Sequence, residues 1–353
     1  MHSGMQLSVL DLVPVRSDQR TADALAATVA LAQTADDLGY TRYWLAEHHN
    51  MPPVAATSPP VVIAYLAAQT RRIRLGSGGV MLPNHAPLAV AEQFALLEAA
   101  APGRIDLGIG RAPGSDPVTS AAMRGWTVDV EAERRRIDEF PNYLDEVAAL
   151  MSPHGAHVAL RSRDDYVLKA TPVADGQPRM WLLGSSMYSA HLAAAKGLPY
   201  VFAHHFSGHG TAEALAVYRD EFVPSETTPE PVTFLTVNAS VAPTREEAER
   251  LLLPNLIMMS WLRTGKPIRP IYLVEDAEAL ALSAVERATV EAARAAAIVG
   301  APGEAADAVR KLADRFGVDE VMINPVGSAL RGTDPATAPA RIQTLELLAK
   351  ELL

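Results

Sequence analysis

The chain has no cysteine among its 353 residues. Disulfides, thiolate metal sites and a cysteine nucleophile are therefore excluded, although this absence alone says nothing about compartment. Basic residues are also short: 31 Lys and Arg stand against 41 Asp and Glu, for a formal charge of −10 and a pI near 5.5. A nucleic-acid surface needs clustered Lys and Arg, so this balance argues against one. No run approaches the roughly 18 apolar residues of a membrane span. The start, Met1–Asp11, has neither the basic end nor the apolar stretch of a signal peptide. These absences point to a soluble, cytoplasmic protein, with residues 1–5 read as an unstructured leader.

What is abundant is apolar material, 49% of the chain, enough to bury a large core. A helix, then Gly, then a short apolar run recurs along the sequence. It appears at Asp37-Leu38-Gly39, Ala101-Pro102-Gly103, Ala195-Lys196-Gly197 and Arg315-Phe316-Gly317. Gly just past a helix end suits a left-handed cap, and near-continuous apolar strands are those buried on both faces. The pattern predicts strands at 6–12, 40–46, 73–78, 104–109, 180–184, 199–203, 233–240 and 319–324. Helical periodicity lies between them. Leu25, Val29, Ala32 and Leu38 share one face, as do Val90, Phe94 and Leu97. Alternating β and α units at this spacing favour an α/β fold, a single (β/α)8 TIM barrel over residues 1–353. Two spacings are too long. Residues 153–179 predict a small hairpin or loop before strand five. An insertion before strand eight, 254–300, holds extra helix near Leu256–Leu262 and Ala277–Ala297, interrupted by Pro267 and Pro270.

Active sites of such barrels are built from the loops that follow the strands. Those loops carry Glu47-His48-His49, Gly78-Gly79-Val80, Gly110-Arg111, Gly184-Ser185-Ser186 and His204-His205-Phe206. Gly184, Ser185 and Ser186 precede a helix, so their N–H groups and hydroxyls suit a phosphate at its positive end, with Arg111 as a charged partner. Gly78 and Gly79 let the backbone approach a planar ligand. His48 titrates near neutrality and suits proton transfer. Together they fit a phosphate-tailed, ring-bearing cofactor such as FMN. Plainer readings stand beside these. Gly78-Gly79 can be a tight barrel turn, Ser185-Ser186 a helix N-cap, and His48-His49 hydrogen-bonded core residues. Glu47, His48 and His49 with His204, His205 and His209 suggest metal, but adjacent strand histidines face opposite ways and no His-Glu-x-x-His helix exists, so no metal is expected. The glycines at 108, 110 and 114 imitate a dinucleotide fingerprint, with the last one place late and Pro113 where a helix should be under way. Arg134-Arg135-Arg136 reads as a solvated helix face, and Met258, Met259 and Trp261 as core or interface.

Taken in order, Tyr43–His49, Ile73–Pro83, Gly103–Arg111, Leu183–Ser186 and Met322–Pro325 resemble the bacterial luciferase-like flavin monooxygenases of the alkanal monooxygenase alpha-chain type. The likeness is good over residues 6–112 and 180–205 and looser elsewhere. It implies reduced FMN as co-substrate, delivered by an NAD(P)H:flavin reductase. That flavin would react with O2 through a C4a-hydroperoxide to oxidise a small organic substrate. It implies a cis peptide at Gly78–Gly79, His48 as the catalytic histidine, and a flavin site of Gly78, Gly79, Val80, Arg111, Gly184, Ser185, Ser186 and Tyr188. Ser189 can complete the phosphate turn. Luciferase itself has an acidic residue where Gly184 stands, so that contact is missing. A mobile lid is implied near 262–298 and a homodimer through the helices after the early strands. Two alternatives go with the resemblance: F420-dependent hydride transfer, and a non-catalytic flavin-binding partner subunit.

Overall fold

The computed structural model describes residues 4–112, 114–126, 135, 137–160 and 163–353. Pro113, Arg134 and Arg136, on which two of the plainer readings rest, lie outside them, as do residues 1–3 of the expected leader. Eight strands form the frame: β1 (Gln6–Asp11), β2 (Arg42–Leu45), β3 (Arg74–Ser77), β4 (Ile105–Gly110), β5 (Arg179–Gly184), β6 (Tyr200–Phe202), β7 (Thr233–Val241) and β8 (Glu320–Pro325). Each pairs in parallel with the next, and β8 pairs back onto β1, so the sheet closes into a TIM barrel. The helices that follow each strand clothe it: α1 (Thr21–Leu38), α2 (Pro59–Ala67), α3 (Pro87–Ala100), α4 (Phe140–Met151), α5 (Met187–Ala195), α6 (Thr211–Asp220), α7 (Pro302–Phe316) and α8 (Pro339–Leu352).

Gly39 and Gly317 cap their helices with φ of +85° and +60°. The other two predicted caps sit just beyond Ala101 and Lys196, as positive-φ turn residues. The buried seam of α1 keeps only Ala32 of the predicted face. Ala24, Ala27, Leu31 and Ala35 face the sheet, and Leu25, Val29 and Leu38 lie at its edge, because small residues let the helix sit close to the strands.

Alternate residues along a strand face opposite ways, so every second side chain points into the barrel. At the amino-terminal end that interior is charged. Arg42 donates to Asp106 at 2.8 Å and to both oxygens of Glu320, and Ser8 donates to Glu320 at 2.5 Å. One layer up, Trp44, Trp181 and Phe234 pack edge to face with centroids 5.1–5.5 Å apart, joined by Leu10 and Met322. This aromatic plug closes the barrel and forms a floor for whatever sits above it.

The long spacing before β5 holds an antiparallel hairpin, Ala156–Leu160 with Arg163–Leu168. After β7 the insertion helix starts at Arg245, nine residues before the predicted boundary at 254. A helix runs Arg245–Thr264 through Pro254, followed by short helices Val274–Glu278 and Ala284–Ala295. Ile298–Gly300 then pairs with β7. Proline lacks an N–H and reads as a helix breaker, yet Thr244 caps this helix by accepting from the Glu247 N–H, and its buried face carries it through Pro254.

Candidate active site

Above the aromatic plug, at the carboxyl ends of the strands, opens a mostly apolar cavity of about 230 Å³. Six of the eight expected cofactor residues reach it: Gly78, Gly79, Arg111, Gly184, Ser185 and Ser186. So does His48. Two do not. Val80 is buried and pairs with Ile109, so it supports the wall from behind. Tyr188 lies outside, where the Arg111 guanidinium stacks on its ring at 4.1 Å.

The Gly78–Gly79 peptide is cis. A Cβ on Gly78 would lie 2.9 Å from Leu10 Cδ1, and one on Gly79 would lie 2.8 Å from the Gly108 carbonyl oxygen. Close approach of β3 to its own barrel demands glycine here, so the reason differs from the ligand clearance that the sequence suggests. At the opposite rim, Ser186 stands at the N-cap of α5, as the plainer reading has it, but its side chain accepts no capping hydrogen bond. Ser185 and Ser186 are exposed, at the helix end where backbone N–H groups lack intrahelical acceptors. Ser189 braces the turn beneath, donating to the Ser186 carbonyl at 2.7 Å and meeting the Tyr200 hydroxyl at 3.1 Å.

His48 Nδ1 lies 3.1 Å from the Gly114 carbonyl. A carbonyl only accepts, so Nδ1 carries the proton and Nε2 keeps its lone pair. Burial lowers the His48 pKa, against the bond to Gly114 and the charge of Glu47, so the ring is neutral at pH 7. Beside it the neighbouring Glu47 is fully buried. It accepts from His49 at 2.8 Å, from His85 at 2.7 Å and from the Met81 N–H at 3.0 Å. Burial pushes its carboxyl up, but the bonds from His85, His49 and Met81 prevail and hold it below the usual range. Their ligand atoms lie within 4.8 Å of one another. This cluster differs from the one the sequence raised: His85 joins Glu47, whereas His204 and His205 bond Thr211 and Thr236.

Several lining residues were given no place in the cofactor site by the sequence, which raises His205 only as a strand-end and metal candidate. His205 faces the cavity with Nδ1 2.7 Å from Thr236 Oγ1. Burial, then the nearby His48 and His204, push it down to about 3. Its position directly after β6 was the available signal. Asn238 and Asn324, bonded to each other at 2.8 Å, come from strands β7 and β8. Asn255, Met258 and Met259 descend from the insertion helix, so the two methionines form cavity wall, not only core.

Arg111 and the α5 start fit an anion such as a cofactor phosphate. Among the described residues the lining contains no carboxylate to oppose an anion. The family model described as luciferase-like monooxygenase matches residues 5–320. A luciferase-like monooxygenase of Escherichia coli K12 is 37% identical over 317 residues, covering 90% of each chain. The N-acetyl-S-alkylcysteine monooxygenase of Bacillus subtilis is 33% identical, over 92% of this chain and 94% of its own. Among solved structures, apo-MsnO8 superposes with a TM-score of 0.81 at 32% identity, covering 99% of both chains. Two more distant structures share the fold. The oxygenating constituent of 3,6-diketocamphane monooxygenase of Pseudomonas putida, in complex with FMN, has a TM-score of 0.71 at 18% identity, over 99% of this chain and 98% of its own. An F420-dependent secondary alcohol dehydrogenase in complex with an F420-acetone adduct has 0.66 at 13%, over 99% and 100%. With the family model spanning most of the chain and full-length relatives above 30% identity, this chain belongs to the luciferase-like monooxygenase family.

Proposed function

We propose that this protein is a flavin-dependent monooxygenase that uses reduced FMN and O2 to oxidise a small organic substrate, with reduced FMN supplied by a separate NAD(P)H:flavin reductase. The observation that carries this reading is the cavity's charge pattern. An apolar chamber lined by no carboxylate among the described residues has Arg111 and the start of α5 at one rim and a neutral His48 inside. Bound reduced flavin would supply the electrons that activate O2. Arg111, Ser185 and Ser186 hold the phosphate by charge-assisted and backbone hydrogen bonds. The Gly78–Gly79 segment borders the ring. Nε2 of His48 takes up and returns a proton in the cavity, because Nδ1 is committed to Gly114. The plug of Trp44, Leu10 and Met322 keeps water from below.

A homodimer fits the outer surface: Val61 and Tyr65 on α2 and Leu96 on α3 are exposed apolar side chains. Light scattering should then give twice the 37.7 kDa chain mass. The test of the function is a pair of variants. His48→Ala should lower turnover by about 10²–10⁴-fold with flavin binding kept. Arg111→Ala combined with Ser185→Ala should weaken FMN binding by roughly 10–100-fold. Full turnover in the first, or unchanged FMN affinity in the second, contradicts the reading. Tight binding of reduced F420 with oxygen-independent turnover would replace FMN by the deazaflavin.

A further inference from the structure

The cavity does not end at His205. A second compartment of about 270 Å³ continues past His205, Phe206, Asn238, Asn255 and Met259, which line both spaces. It runs between the insertion helices Arg245–Thr264 and Ala284–Ala295. In the barrel ring β7 lies opposite β3, so this compartment extends away from the Gly78–Gly79 side. One wall is Leu252, Leu256 and Met259. The other is Ala292, Ala293, Ala296 and Ala297, whose short side chains leave the space open.

Charge marks its rim, where Arg263 is exposed. The chain carries a net −10, yet among the described residues neither compartment is lined by an Asp or Glu. Arg111 stands in the first compartment and Arg263 in the second. Arg263 sits in the last turn of its helix, where a cation is favoured by the helix dipole alone. Its guanidinium is drawn elsewhere. It donates at 2.5 Å to the carbonyl of Phe206, which lines both compartments, and the Phe206 ring packs on His205 at 4.3 Å. No ion pair with a carboxylate engages Arg263 among the described residues. A guanidinium held by one bond keeps further N–H donors free, in the planar fork that suits a carboxylate.

We infer that Arg263 binds the anionic end of the substrate: an apolar, chain-like compound with a terminal carboxylate, its body lying along the alanine wall and its reacting end at His48 and His205. The inference rests on the flavin reading only for the position of that reacting end. Arg111 serves the cofactor's anion and Arg263 the substrate's, which accounts for two cations facing a cavity lined by no Asp or Glu among the described residues.

The test uses octanoate and its neutral near-isostere octanamide as probes, with binding to the full chain followed by calorimetry in low and moderate salt. Octanoate is expected to bind about tenfold tighter than octanamide, with the preference shrinking as salt rises. Arg263→Gln should bring octanoate down to the octanamide level and leave octanamide unchanged, and Arg263→Lys should restore part of the preference. Equal or undetectable binding of the two probes to the wild-type chain overturns the inference. So does a loss in Arg263→Gln that affects both probes alike, which marks a purely structural role. FMN binding is titrated separately on each protein. If FMN fails to bind while the octanoate preference stands, the flavin reading falls and the anion site survives.

Discussion

Glu47 ties the two halves of the candidate site together, and replacing it with Gln is the most informative single change. Its carboxylate takes three donors, two on Oε1 and one on Oε2. Glutamine keeps the shape but turns one oxygen into an NH2 group. Facing His49 and His85 with its remaining oxygen, it sets NH2 against the Met81 N–H; flipped, it sets NH2 against two imidazoles. The cheaper choice strands one buried donor, at about 1–3 kcal/mol. At roughly 2.1 cal/mol/K per residue, a chain of 353 residues has an unfolding entropy of about 0.74 kcal/mol/K. Tm should therefore fall by about 1.5–4 °C at pH 7. The pH dependence has a definite sign. The Glu47 carboxyl is held below its usual value in the folded chain, so its contribution is complete above about pH 4.3 and lost as pH falls through the folded value. The Tm gap between wild type and Glu47→Gln should stay level between about pH 7 and 5 and close in stronger acid. Because Met81 follows Gly79 and His48 follows Glu47, flavin affinity should weaken several-fold alongside. Differential scanning calorimetry across pH and an FMN titration read both effects. An unchanged Tm with unchanged flavin affinity, or a gap that widens in acid, refutes the reasoning.

Other expectations follow from the same geometry. Arg42→Met leaves Glu320 a buried charge without its cation at the barrel base, while Asp106 keeps Arg74; it should cost about 3–5 kcal/mol, a Tm loss of roughly 4–7 °C, and a variant as stable as wild type contradicts the charged-base account. His205 is held neutral with its pKa pushed down to about 3, so its contribution is whole above about pH 6.5 and lost as pH falls from there towards 3. Wild type should lose Tm over that range more steeply than His205→Gln, and parallel curves would count against it. A methyl on Gly184 overlaps Ser189 Oγ, so Gly184→Ala should break the bonds that brace the Ser186 turn and weaken FMN binding by roughly tenfold; unchanged affinity in a fluorescence titration argues against a phosphate there.

Much of the barrel was legible because parallel strands buried on both faces must be apolar runs, and because turns past the helices need Gly39 and Gly317. The loops after the strands could be named in advance, and Gly78, Arg111 and Ser185 do converge on one cavity. Two features were not legible because the partner is remote in sequence. Glu47 meets His85 across 38 positions, and Arg42 meets Glu320 across 278. Nothing local distinguishes such charges from solvated ones. The insertion helix was read as starting near Leu256, and Met258 and Met259 as core or interface, so neither they nor Asn255 were placed in the site. The Tyr188 assignment came from resemblance, and here that ring stacks on Arg111 outside the cavity.

The central claim is tested most directly by titrating the purified chain anaerobically with photoreduced FMN and then mixing the complex with oxygenated buffer. The account predicts saturable binding, and reoxidation clearly slower than for free reduced FMN, because the cavity is apolar and closed from below. Absence of binding, or reoxidation at the rate of the free flavin, would contradict it.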